Sequence, residues 1–136
     1  MSELWEPRPL PEITPENERY WRAASEGRLL LCHCPECEFD FVYPRARCPD
    51  CFASTGWIEA SGDGVVYSYS VAEAVDGWPE HGLPLIVAYV ELAEGPRVMT
   101  NIVDCDPRAV SVGDPVSATF IQTDTADLAI PVFRLD

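Results

Sequence analysis

The residues best equipped for chemistry sit in two short stretches, "LCHCPEC" (31–37) and "RCPDC" (47–51). Together they hold five thiols and an imidazole: Cys32, His33, Cys34, Cys37, Cys48 and Cys51. The spacing Cys34-x2-Cys37-x10-Cys48-x2-Cys51 is that of a metal ribbon with a short spacer. Each CxxC pair forms a tight turn whose backbone N–H groups point at sulfur and spread the thiolate charge. Four protein thiolates close a tetrahedral site and leave no open position, so such a site is structural. Zinc is the expected metal, and iron in a rubredoxin-like site is the alternative. Reduced core cysteines are the other reading of the same thiols, but a paired x2 spacing occurring twice argues against it. A redox dithiol needs only one CxxC at a helix start.

Two of the six are then surplus. On a strand, Cys32 and Cys34 point to one side and His33 to the other. Cys32 reads as a spectator near the metal or an occasional substitute ligand, and His33 as an exposed or lightly paired side chain. Cys105, alone after "NIVD", reads as a small buried hydrophobe. His33 and His81 are the only histidines, and no GxSxG, HExxH or P-loop is present. The loop "DGWPEHGLP" (76–84) offers Trp78 as an aromatic platform with Glu80 and His81 as polar tips. The more ordinary reading is a connection whose Trp78 covers the open end of a barrel. Arg19, Arg22, Arg28, Arg45 and Arg47 form a local basic group in an acidic chain. They suit a phosphorylated ligand or an acidic partner. Pairing with Glu16, Glu18 and Glu26 is the competing use.

Composition narrows the field. The 136 residues are 47% hydrophobic with a formal net charge of −14, and all 9 basic residues are arginine. Residues 1–51 carry 6 arginines against 10 acids, and residues 52–136 carry 3 against 13. Filling a four-thiolate site with a divalent metal adds about −2 more. Nucleic-acid binding rests on phosphate neutralisation and needs the opposite sign. No apolar run approaches a membrane span, and the acidic, proline-rich start does not resemble a signal peptide. A cytoplasmic location is the expectation, where paired cysteines bind metal rather than form disulfides.

Three segments emerge: a docking segment at 1–31, a metal ribbon at 32–57 and a barrel at 58–136. "WEPRPLPEI" should be extended. "TPENERYWRAASEG" (14–27) carries helix punctuation, with Thr14 to cap, Pro15 in the first turn, early acids and Gly27 as a stop. Its short apolar face, Tyr20, Trp21 and Ala24, must dock on something to be stable. "FDFVYP" alternates like a short strand or hairpin. After Ile58, strands are expected from Gly64 and over 85–92, 97–105, 115–123 and 128–136, with no helix beyond a turn at "DPRAV". Five short strands punctuated by turns fit a Greek-key barrel of the OB type, making the chain mainly β.

The elements "YWRAASEGRLLL", "CPECEFDFVYPRARCPDC", "GDGVVYSYSV", "LPLIVAYVELAEGPRVMTNIV", "VSVGDPVSATF" and "PVFRL" together cover most of the chain. In this order they resemble the acyl-CoA-associated zinc-ribbon/OB-fold proteins, long catalogued as a domain of unknown function. The resemblance implies a non-catalytic accessory subunit of a thiolase-fold enzyme (thiolase, thiolase-like aldolase or acyltransferase). It also implies a hetero-oligomer whose ribbon and barrel help to line a CoA or acyl-CoA channel. Cys34, Cys37, Cys48 and Cys51 match the family's metal ligands, and it offers no catalytic residues to transfer. Candidate contacts to the acyl-CoA remain Arg19, Arg22, Arg45, Arg47, Trp78 and His81. Glycine usually follows the first knuckle, so Glu38 departs from the pattern. A nucleic-acid-binding ribbon/OB module and a stand-alone acyl-CoA-binding protein or enzyme using His81 are the alternatives. The ligand assignment has a direct consequence. Cys32→Ser keeps one zinc per chain by elemental analysis, and loss of the metal from that variant overturns the assignment.

Overall fold

The structure, a computed structural model, describes residues 10–125 and 127–136. Most of the stretch expected to be extended lies outside the described residues. The first hydrogen-bonded turn opens at Thr14. Its N–H donates to Asn17 Oδ1 at 2.8 Å, and Asn17 N–H donates back to Thr14 Oγ1 at 3.3 Å. This reciprocal closure follows the capping-box pattern with asparagine in the acceptor role. Helix α1 proper is Glu18–Ser25, shorter than the 14–27 pattern because residues 15–17 form a turn. It ends where the punctuation demands. Gly27 takes φ +79°, Arg28 N–H donates to Ala23 O, and Gly27 N–H donates to Ala24 O. That left-handed C-terminal motif satisfies two orphan carbonyls at a conformation glycine adopts without strain.

The ribbon is a three-stranded antiparallel sheet. Strand β1, Leu30–His33, lies between β2, Asp40–Phe41, and β3, Gly56–Glu59. Cys32 therefore stands opposite both Phe41 and Trp57. Strand β3 continues across positions 57 and 58 and so hands the ribbon directly to the barrel. The barrel strands are β4 (Asp63–Ala72), β5 (Leu85–Leu92), β6 (Arg97–Ile102), β7 (Pro115–Gln122) and β8 (Ala129–Leu135). They close in the order β4-β5-β6-β8-β7. Closure removes the exposed sheet edges that an open sheet would present. A bulge between Val66 and Ser68 bends β4 so that it can pair with both neighbours. The turn at "DPRAV" is one 3-10 turn, Pro107–Ala109, with Arg108 N–H donating to Asp106 Oδ1 at 2.8 Å. No helix among the described residues is long and apolar enough to cross a membrane.

One core joins the parts. Tyr20 from α1, Leu29, Leu31 and Val42 from the ribbon, and Val66, Val90, Val116 and Phe133 from the barrel form one buried cluster. The apolar face of α1 thus docks on this chain, with Tyr20, Ala23 and Ala24 buried. Burying Tyr20 alone contributes on the order of 2 kcal/mol. Polar ties reinforce the joints. Glu16 Oε2 accepts from Ala46 N–H at 2.7 Å, and Ala60 N–H donates to Leu29 O at 2.8 Å.

The barrel wall is tightest at Gly64. A Cβ there would lie 2.7 Å from Glu91 O and 2.7 Å from Val90 Cγ1. The neighbours are strand backbone and a buried valine, and neither can yield cheaply. Gly64→Ala is expected to destabilise the chain by about 1–3 kcal/mol, read from the urea midpoint.

Candidate metal centre and apolar cleft

The two CxxC turns are built alike. In the first, Cys34 N–H donates to Phe39 O at 2.9 Å and Glu38 N–H donates to Cys34 O at 2.8 Å. In the second, Cys48 N–H donates to Ala53 O at 2.8 Å and Phe52 N–H donates to Cys48 O at 2.9 Å. Both turns need a left-handed residue after the second cysteine. Glu38 (φ +59°) and Phe52 (φ +65°) supply it. A non-glycine residue pays about 1–2 kcal/mol for that conformation. Glu38 therefore departs from the glycine pattern in side chain only, and the turn geometry matches that of its twin.

The result is a cluster of four thiols. The Sγ atoms of Cys34, Cys37, Cys48 and Cys51 all lie within 4.8 Å of one another. Cys34 and Cys51 are 3.5 Å apart, and Cys37 and Cys48 are 3.6 Å apart. Tetrahedral Zn–S bonds of about 2.3 Å require sulfur–sulfur edges of about 3.8 Å, so the donor set fits zinc. Asp50 N–H points at Cys48 Sγ from 3.4 Å, as a knuckle requires. The thiols titrate very differently. Hydrogen bonding from the Cys37 backbone pulls the Cys34 thiol down to about 7. Loss of hydration, followed by the adjoining Cys34 sulfur, pushes Cys37 up to about 12. Four sulfurs at this spacing cannot share four negative charges unless a cation balances them.

Cys32 and His33 lie outside the four-thiol cluster. Cys32 is buried, and its thiol is raised chiefly by that burial. His33 Nδ1 lies 2.6 Å from Asp40 Oδ1, its cross-strand partner.

The other sequence candidates separate. Arg19, Arg22 and Arg28 line one shallow cleft along α1 together with Glu18 and Glu26. Arg22 pairs with Glu18 at 2.9 Å, and Arg28 pairs with Glu26 at 2.6 Å and Glu59 at 3.4 Å. Arg47 donates to Ser54 Oγ at 3.1 Å across the second knuckle. Neither Arg45 nor Arg47 lines that cleft. Trp78 and His81 line a separate cavity of about 190 Å³ with Asp104 and Cys105. Trp78 also packs on Ile121 and Val132, a small second core at that end of the barrel.

An apolar cleft of about 410 Å³ was not foreseen. It opens where α1, the ribbon and the barrel meet. Strands β6 and β8 run parallel and pair only at Ile102 and Phe133, so the wall gapes beside them. Trp21, Tyr43, Met99 and Pro131 line the gap. Trp21 stands edge-on to Tyr20, with ring centroids 4.9 Å apart. Burial, then the neighbouring Tyr43, push the Tyr20 hydroxyl up to about 12, so it stays protonated. Asn101 Nδ2 donates to Ile86 O at 2.9 Å and Thr100 Oγ1 to Pro131 O at 3.3 Å. With no charged residue in its lining, the cleft suits an uncharged, apolar group, and its size is that of a small-ligand site. The only signal in the sequence was the Tyr20–Trp21 pair on a helix that had to dock.

Fold and site together define a class: a ribbon-plus-OB-barrel protein whose four-thiol site has no position open for substrate. Residues 21–55 match the family model described as "ChsH2, rubredoxin-like zinc ribbon domain", and residues 57–120 match "ChsH2, C-terminal OB-fold domain". The chain belongs to the DUF35 domain-containing scaffold proteins. It is 37% identical to such a protein from Methanocaldococcus jannaschii, the match covering 75% of this chain and 74% of the relative. It is 39% identical to a "Probable enoyl-CoA hydratase alpha subunit" from Thermomonospora curvata over 93% of its own length, and spans 40% of that longer relative. Among solved structures, "Ltp2-ChsH2(DUF35) aldolase" superposes with a TM-score of 0.82 at 35% identity. That match covers 93% of this chain and 98% of the other.

Metal and protons compete for the same sulfurs. Each proton displaced on binding adds a factor of about ten in zinc affinity per pH unit. Lowering the pH from 8 to 6 is therefore expected to release zinc, most steeply below the Cys34 value. A colorimetric chelator titration reads the release directly.

Proposed function

We propose that this chain is a non-catalytic scaffold subunit of a thiolase-fold enzyme that acts on acyl-CoA. The observation that carries this reading is the near-complete structural match to the DUF35 component of the Ltp2-ChsH2 aldolase. A scaffold of this kind needs a rigid shape more than a reactive group. The core shared by helix, ribbon and barrel and the four-thiol staple provide that rigidity. Zinc is the metal this reading assigns to Cys34, Cys37, Cys48 and Cys51, and its part is structural. The working division is a docking segment at 1–31, a zinc ribbon at 32–57 and an OB barrel at 58–136, in a cytoplasmic hetero-oligomer. The partner supplies the catalytic groups.

The apolar cleft and the arginines divide the contacts to acyl-CoA by chemistry. The cleft admits the uncharged part of a ligand, and the arginine-bearing face along α1 offers charge to its phosphates. Trp78 and His81 remain candidates for the channel wall at the other cavity.

Co-expression with the thiolase-fold protein encoded beside its gene tests the reading. Expected results are co-elution at defined stoichiometry and turnover of an acyl-CoA substrate by the pair that the partner alone does not reach. A monodisperse chain that leaves both the elution and the rate of the partner unchanged overturns it.

A further inference from the structure

The second knuckle carries an expense that the fold does not explain. The turn forces the residue after Cys51 into a left-handed conformation, where glycine or asparagine is least strained. Phe52 occupies it instead, at φ +65°, with 76% of its surface exposed. The backbone conformation is imposed by the knuckle, but the phenyl ring is not. Within this chain the ring buries little and leaves its apolar surface in water. Phe39, at the matching end of the first knuckle, is also exposed at 42% and stacks on Phe41 with ring centroids 5.7 Å apart. The metal end of the ribbon therefore presents two aromatic side chains. Around them the exposed acids Glu36, Glu38 and Asp50 outnumber the exposed Arg47, whose guanidinium is already engaged by Ser54 Oγ at 3.1 Å.

We propose that Phe52, held out by its strained turn and flanked by Glu36, Glu38 and Asp50, is the anchor by which the ribbon engages a partner protein. Its counterpart is an apolar socket ringed by arginine or lysine. This rests on the scaffold reading above and names the contact within it. The charge pattern selects this occupant. A second copy of this chain, at net −14, would bring acid against acid. A basic-rimmed socket satisfies the acids while the ring loses its hydration, the arrangement of an interface hot spot inside a polar rim. An exposed left-handed phenylalanine is also pre-positioned, so its docking orders little backbone.

The proposal makes stability and binding move in opposite directions. Phe52→Gly relieves the backbone and removes exposed apolar surface. The isolated zinc-loaded chain should melt no lower than wild type and keep one metal. Its affinity for the thiolase-fold partner, measured by calorimetry, should fall about ten-fold or more. Phe52→Asn, which also tolerates the left-handed conformation, should behave alike if Phe52→Gly perturbs the metal. Phe52→Tyr should bind nearly as well as wild type. Reversing Glu36, Glu38 and Asp50 to lysine should weaken binding and flatten its dependence on salt. If wild type binds and both Phe52→Gly and Phe52→Asn bind within about two-fold of it, the anchor assignment is wrong and the scaffold reading stands. If wild type fails to bind the partner, the scaffold reading falls and this assignment falls with it.

Discussion

The fold depends on holding four sulfurs within 4.8 Å of one another. A ribbon of about 25 residues is too small to bury a core of its own. Its strands are short, β2 having only two residues. What fixes them is the pair of knuckles, and what fixes the knuckles is a charge problem. Four adjacent thiols cannot all ionise, and two of them are driven apart, Cys34 down to about 7 and Cys37 up to about 12. A divalent cation would resolve the conflict and tie residues 34 and 51 together. Strand β1 is then held at its end, and β3 is held against β1.

From that staple, order passes outward through backbone rather than through a hinge. Strand β3 leads into the barrel, and Ala60 N–H bonds back to Leu29 O. Leu29 follows the left-handed Gly27 stop that ends α1, and Glu16 at the other end of the helical segment bonds to Ala46 in the ribbon. The three parts share one hydrophobic cluster. The ribbon is thus packed on the barrel through a shared core, and the cleft lies where α1, ribbon and barrel meet.

The features legible in the sequence were those encoded locally. The grouping of Cys34, Cys37, Cys48 and Cys51 follows from their spacing. Strand β5 matches residues 85–92 because its apolar run is unbroken and bounded by turn residues. The five-strand barrel followed from five short runs with turn signals between them, whereas its strand order did not. Features set by distant partners were not legible. Strand β3 has only four residues and exists because β1, some 25 positions earlier, pairs with it. The cleft depends on a parallel contact of one residue pair, which no periodicity records. The left-handed backbone after each knuckle was signalled only by the glycine usual at that position, where this chain has Glu38 and Phe52. The five-arginine group divides, because Arg19, Arg22 and Arg28 line one cleft along α1 that Arg45 and Arg47 do not line. A helix of eight residues replaced a longer pattern once Thr14 and Asn17 closed a separate turn.

The acidity of the chain bears on the order of assembly. Tyr43 and Met99 at the cleft and Phe52 at the ribbon tip are more than half exposed, a composition that in a neutral protein invites self-association. At net −14, two copies repel before those side chains meet. A subunit made in excess of its partner can therefore persist as a dispersed reserve rather than precipitate. The repulsion is electrostatic, so it weakens as salt rises. Raising the ionic strength would therefore favour self-association of the orphan subunit, a response not shared by a protein kept soluble by covering its apolar surface.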